Sequence, residues 1–313
     1  VQSKAMKPAT THLLPAEVFV FRVTATAALI DVALILLRGS KVDFIAYGTL
    51  AGLVTALLVL GLFYRRSGRS DTIGAVATSA GLFIAFTAVM SLFNYLLTPN
   101  SNPTIDHWLM QVDAALGFDW PGMLGWAAHH PWFNEFMRLS YASTLPQIAL
   151  LLVVLGLSSR LDDLQALMVT VVTAGAISVM FWGLFPSLGP SAFYDLPAQT
   201  LHTVRPIVGP DYGAEILALL KNGAPFLSPN ELRGLIAFPS FHIVLAFAAT
   251  YYARNVRWLF APYLVINLIV LPAVLVHGGH HLADIPAGMA VFAFAVVCAR
   301  LAVRRRRPAL ATA

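Results

Sequence analysis

Long runs of apolar residues dominate this chain and decide what it can fold into. A helix that crosses a bilayer needs about 20 mainly apolar residues, and about eight stretches qualify or come close. They cover residues 18–37, 44–64, 72–97, 134–157 and 164–185, with three more starting near Pro239, Leu259 and His280. Charged residues make up only 11% of the 313, against about a quarter in a soluble globular chain. The expected fold is therefore all-α: a polytopic membrane helix bundle of about eight spans. The segment 98–132 breaks this pattern. It carries Pro103, Asp106, Asp113, Asp119, Pro121 and four tryptophans among short apolar stretches. Tryptophan favours the headgroup level, so an interfacial or re-entrant segment is expected around residues 100–130. Residues 187–237, rich in Pro, Gly and polar residues, read as one long loop.

The net charge of +5 resembles a nucleic-acid signal until the charges are located. Four of the basic residues are Arg304 to Arg307, directly after the last apolar run, where cytoplasmic anchors sit. The balance thus reflects topology, and no nucleic-acid partner is expected. With eight spans and the N-terminus inside, the inner side carries Lys4, Lys7, Arg65, Arg66, Arg69, Arg160, Arg254, Arg257 and the terminal arginines. The outer side carries Arg38, Lys41, Arg205, Lys221 and Arg233. The first sixteen residues include Lys4, Lys7, Pro8 and Pro15 and no apolar stretch, so the first run reads as a retained span. Cys298, alone and inside the last run, excludes an internal disulfide framework.

Chemistry concentrates at two places. His280 and Asp284, at i and i+4, share one face if the helix includes both. The carboxylate can then accept the imidazole Nδ1 proton and leave Nε2 as a nucleophile. His242 closes the run Phe238-Pro239-Ser240-Phe241-His242, in which Pro239 suits a first helical turn. Ser240 and the free backbone donors of that turn make an anion site. The span count puts His242, His280 and Arg138 at helix starts on one membrane face, the non-cytoplasmic one. A metal reading of His277, His280, His281 and Asp284 is weaker, because Gly278-Gly279 interrupts the helix between them. His281 is expected at the site rim or on a backbone carbonyl, and no cofactor or metal is expected.

Ser240-Phe241-His242 and His280 to Asp284 resemble the second and third signature motifs of the type 2 phosphatidic acid phosphatase superfamily. The form Phe238 to His242 followed by Gly279 to Asp284 is most similar to the branch of inositol phosphorylceramide synthase and sphingomyelin synthase. Leu139 to Ser143 and Phe185 to Pro190 also resemble segments of that branch. The resemblance covers about residues 108–300. Superfamily phosphatases carry a first Lys-x6-Arg-Pro motif; Arg205-Pro206 could match its end, but Ala198 stands where the lysine would be. Val274 likewise replaces an arginine expected six residues before the nucleophilic histidine. The sphingolipid-synthase-like branch shares both departures. The resemblance implies a lipid phosphotransferase with His280 as nucleophile, Asp284 orienting it and His242 as general acid and base, through a phosphohistidine. Arg138, Arg205, Arg233, Ser240 and Tyr141 are the expected phosphate or substrate ligands, and lipids of the bilayer the partners. A lipid-phosphate or polyprenyl-phosphate phosphatase with the same residues is the alternative, and a proton-coupled transporter a remote one. The chain then divides into N-terminal transmembrane helices (1–100), a phosphatase- or phosphotransferase-like membrane core with six helices (101–302) and a basic tail (303–313).

Overall fold

A computed structural model describes residues 13–304; Lys4, Lys7 and Arg305 to Arg307 lie outside the described residues. Among those described there are thirteen α-helices and no strand. The all-α polytopic bundle read from the apolar runs is the observed architecture.

Three long helices come first: α1 (Pro15–Arg38), α2 (Phe44–Arg66) and α3 (Asp71–Leu96). Each begins and ends where turn chemistry dictates. Asp43 accepts from the Ala46 amide at the start of α2, Ser70 does the same for Ile73 at the start of α3, and Gly39 ends α1 in the left-handed region. Glu17 at the foot of α1 pairs with Arg65 at the end of α2, with Nη2 2.5 Å from Oε1 and both side chains buried. At the opposite end Arg38 Nη1 donates to the carbonyls of Leu96 and Thr98, 2.5 Å each. These contacts tie the ends of the first three helices together.

Two short helices follow, α4 (Asp106–Ala115) and α5 (Trp120–His129), in place of the expected interfacial segment. Trp108, Trp126 and Trp132 are exposed there, whereas Trp120 is buried and donates Nε1–H to the Leu275 carbonyl at 2.8 Å. The fourth apolar run is not one span. It consists of α6 (Pro131–Ala142) and α7 (Thr144–Leu157), bent by 50° at Ser143. Pro146 lacks the amide hydrogen that would bond the Ala142 carbonyl, which accounts for the break.

The long helix α8 (Leu161–Leu184) leads into a region that is more structured than the expected loop. It contains a 3-10 turn at Pro190–Ala192, then α9 (Ala198–Val204) and α10 (Pro210–Asn222). The last helices are α11 (Phe241–Ala253), α12 (Arg257–His277) and α13 (Asp284–Arg304). Among the described residues six helices are long and apolar enough to cross a membrane, seven with the bent pair; α11, at 13 residues, is too short to be counted. The expected eight runs are thus all helical, but two depart from simple spans.

The core of the bundle is formed where α8, α11 and α13 pack together with α3 and α7 around buried Leu167, Leu245, Ala248 and Tyr252. Phe241, the first residue of α11, sits beside Gly175 of α8, where an added Cβ would lie 3.5 Å from its ring. Leu184 ends α8 nine residues later, about 14 Å further along at 1.5 Å per residue. The start of α11 is therefore recessed well below the loop end of the bundle. The segment 186–237 roofs this recess and is tied to the first helices by a bridge between Val42 and Leu227.

Candidate active site

The recess gathers the two histidine motifs. After His277 the chain leaves α12 through Gly278 and Gly279, the latter at φ +58°. Gly278 has no room for a side chain, since a Cβ would stand 2.7 Å from His280 Cδ2 and 2.8 Å from Tyr141 Cε2. Helix α13 starts only at Asp284, so His280 lies in the preceding turn, not on a shared helix face. The pairing survives because the carboxylate of the first helical residue reaches back over that turn. Asp284 Oδ2 lies 2.8 Å from His280 Nδ1 and accepts the His281 amide at 3.0 Å. An ionised carboxylate only accepts, so Nδ1 carries the proton and Nε2 keeps its lone pair. Nε2 faces Ser240 Oγ at 3.2 Å.

Ser240 caps α11, with Pro239 just outside the helix and not in its first turn. The Ser240 amide donates to the Asp284 carbonyl at 3.2 Å, which locks the two motifs together. His242 is half-buried, its ring centroid 6.4 Å from that of His280. One face of the His242 ring stacks on Tyr141 at 4.0 Å and 20°. The two rings stand nearly edge to face, at 66°.

Two carboxylates of α4 hold this arrangement from the side. Asp106 Oδ1 accepts from the amides of Leu188 and Gly189 at 2.9 Å each. Gly189 (φ +83°) then touches the third motif so closely that a Cβ would stand 2.1 Å from the Gly279 carbonyl oxygen. Ser187 Oγ accepts from the Phe238 amide at 3.0 Å, so the same segment also holds the second motif. Two turns along α4, Asp113 Oδ2 accepts from His281 Nδ1 at 2.7 Å and Oδ1 from the Leu282 amide at 3.0 Å. His281 Nε2 faces Asp106 Oδ1 at 3.6 Å, an ionic neighbour beyond hydrogen-bonding range. All three side chains are buried. Burial acts to lower the His281 pKa, but Asp106, Asp284 and Asp113 outweigh it and the net shift is upward. His281 is therefore clamped between carboxylates, a correction to the expected place on the rim or on a backbone carbonyl.

The structure brings His280, His242, Asp284, Ser240 and Tyr141 into one recess. It pairs each expected arginine with a glutamate. Arg138 makes a double contact with Glu135, at 2.8 and 2.5 Å, and Arg205 lies 3.9 Å from the same carboxylate. Arg233 pairs with Glu215 at 3.4 Å, over the face of Tyr212. Asp106 and Asp113 were not among the expected site residues. Their signal was there: two aspartates seven apart fall on one face of a short helix.

The family model of the PAP2 superfamily matches residues 107–298, which include both histidines, Asp284 and Asp113. The chain belongs to the PAP2 superfamily. No curated protein and no solved structure gives a significant match. PAP2 enzymes comprise lipid phosphatases and related phosphotransferases, and this chain is an integral membrane enzyme of that superfamily. Its helices α1, α2 and α3 lie outside the PAP2 match, as does Asp106, one residue before it.

Proposed function

We propose that this enzyme is a lipid phosphotransferase similar to inositol phosphorylceramide synthase, acting at the non-cytoplasmic face of its membrane. The observation that carries the reading is the Asp284–His280 pair, set beside Ser240 with its ring centroid 6.4 Å from that of His242. In the proposed reaction His280 Nε2 attacks phosphorus, and the bond from phosphorus to the leaving alkoxide oxygen breaks. His242, protonated when the phosphate anion lies beside it, gives its proton to that oxygen. Neutral His242 then takes the proton of an acceptor hydroxyl. That oxygen attacks the phosphohistidine, the P–N bond breaks, and His280 is regenerated. First-turn amides of α11 and Ser240 stabilise the equatorial oxygens. Arg138, one turn before Tyr141, and Arg205 exchange Glu135 for the headgroup phosphate, while Arg233 meets substrate at the outer rim.

Val274 and Ala198, where plain phosphatases carry cations, favour transfer to an alcohol. Val274 is fully buried in α12, so no cation from that position faces the two rings. The choice of face rests on charge: Arg65, Arg66, Arg69, Arg160, Arg254 and Arg257 lie at helix ends opposite the recess, as cytoplasmic anchors do. Division into an N-terminal helical unit (1–100), a catalytic core (101–302) and a tail (303–313) fits the same reading. Transfer to water, giving a lipid-phosphate phosphatase, uses the same residues.

Purified His280→Ala and His242→Ala proteins, offered phospholipid labelled at phosphorus, test the mechanism. Both are expected to lose turnover while keeping their thermal transition, and His242→Ala to trap acid-labile, alkali-stable label. Full turnover in either folded variant refutes it. In wild type, label recovered on an alcohol indicates transfer, and label recovered as free phosphate indicates hydrolysis.

A further inference from the structure

A cavity of about 530 Å³ lies between α2, α3 and α7, away from the imidazoles. Its floor is α3 from Ala80 to Ser91, where Phe83 and Ile84 alternate with small residues, and its walls include Leu50 of α2 and Leu152 of α7. From Ala80 to Ser91 the floor runs about 16 Å at 1.5 Å per residue. The helices that form it are ones long and apolar enough to cross a membrane, α7 as part of the bent pair, so whatever fills it is hydrocarbon. The roof segment closes its upper end with Pro229 and Leu232, and Arg233, largely exposed, follows directly.

Two observations link this cavity to a particular occupant. The first is nearness to the recess. Leu145, which lines the upper end, stands four residues beyond Tyr141, and Tyr141 stacks on His242. The second is an unmet polar demand at that same end. Tyr47 lines the cavity, and its hydroxyl is buried with no hydrogen-bond partner. Behind it Asp31 of α1 is an electrostatic neighbour, 2% exposed, with both carboxylate oxygens unpartnered. Buried polar groups without partners are costly in a bilayer and by default point to function. Pure hydrocarbon does not meet that demand. A lipid does, because an ester, amide or hydroxyl group joins its chain to its phosphate.

We propose that this cavity is the chain-binding subsite for the lipid substrate. One hydrocarbon chain lies along α3, the Tyr47 hydroxyl turns out of its buried position to bond the linkage oxygen, and the phosphate reaches the space between His242 and His280. The proposal rests on that space being the catalytic centre, and it gives α2 and α3, which precede the family match, a role in substrate recognition.

The probe is phosphatidic acid carrying a diazirine in one acyl chain, in phosphatidylcholine nanodiscs with the full chain. On irradiation, label is expected in α3 between residues 80 and 91 and in α7 between 145 and 153. The bilayer-facing Val265 and Leu268 of α12, both exposed, should take up far less. Ala88→Trp fills the floor and should reduce the α3 and α7 label severalfold; Ala149→Phe does the same from the α7 wall, without altering the core, should the first fail to fold. Equal labelling of α12, or label unchanged by both variants, overturns the proposal. Kinetically, Ala88→Trp should raise KM for long-chain substrate about tenfold, near the worth of two displaced methylenes. An analogue with four-carbon chains should lose less, since most of the floor lies beyond its reach; equal loss on both substrates counts against the subsite. His280→Ala separates the two readings, since it should abolish turnover and leave labelling intact. Labelling without any wild-type turnover would sink the catalytic reading and leave the subsite standing.

Discussion

Asp113→Asn keeps the shape of a side chain that accepts two buried hydrogen bonds and removes its charge. The wild-type carboxylate takes the His281 Nδ1 proton at 2.7 Å and the Leu282 amide at 3.0 Å. An asparagine offers one oxygen, so its amide group must face one of those donors. A charge-assisted bond worth about 1.5–3 kcal/mol is lost, and a buried donor left unpaired costs about 1–3 kcal/mol more. These terms overlap, and about 3 kcal/mol is the expected total, the low end for breaking a buried ion pair. At about 2–4 °C per kcal/mol for a chain of this size class, Tm should fall by about 6–12 °C.

The pH dependence gives this prediction its sign. His281 has a raised pKa in the folded state, so folding takes up a proton between the unfolded value, about 6.5, and the raised one. Stability from the clamp is fully present below the unfolded pKa and is lost as pH rises through the folded pKa. The gap between wild type and Asp113→Asn should therefore be widest near pH 6 and narrow in alkali. Thermal unfolding followed by tryptophan fluorescence in detergent, across that range, measures it. Turnover should drop mainly in kcat, because the clamp positions residues beside His280 and touches no substrate. A Tm shift under about 2 °C, less than 1 kcal/mol on the same scale, with no narrowing at high pH, refutes the clamp.

Two further substitutions probe the scaffold around the imidazoles. Gly189→Ala meets both a left-handed backbone and a carbonyl oxygen 2.1 Å from the new Cβ; it should lower Tm and turnover together, and a wild-type melting curve would show that the Gly189–Gly279 contact is dispensable. Tyr141→Leu removes a ring pair worth about 0.5–1.5 kcal/mol. That translates into a loss of about two- to twelvefold in kcat, whereas Tyr141→Phe should stay near wild type; equal losses in both would assign the effect to the hydroxyl.

Much of this molecule was legible in the sequence because its constraints are local. An apolar run of twenty residues has few fates, and His280 with Asp284 four residues on finds its partner even though a turn, not a helix, holds the first of them. What stayed illegible depends on distant segments. Nothing local to His281 announces Asp113, and nothing local to Phe185–Pro190 announces that Asp106 fixes its backbone. The partners of the arginines were hidden for the same reason: Glu135, three residues before Arg138, was visible, but its second partner Arg205 comes from a helix end 70 residues away. The bend at Ser143 had a local sign in Pro146, which a count of apolar residues passes over. The short α11 had a local sign too, since Pro239 and Arg254 bracket only fourteen residues.

The bond from Asp113 to His281 joins residues 168 positions apart, and that separation orders events during synthesis. A chain made from its N-terminus delivers α4 long before the turn that precedes α13 exists. Until then Asp106 and Asp113 have no imidazole to meet, and as carboxylates they keep α4 hydrated at the bilayer surface instead of sinking into it. Ser240 waits likewise for the Asp284 carbonyl, and Gly189 for Gly279. Arrival of α13 is thus the step that brings Asp284 to His280 and orients the nucleophile. A nascent chain lacking α13 holds most of the bundle and can stack Tyr141 on His242, but it has no Asp284 to orient His280.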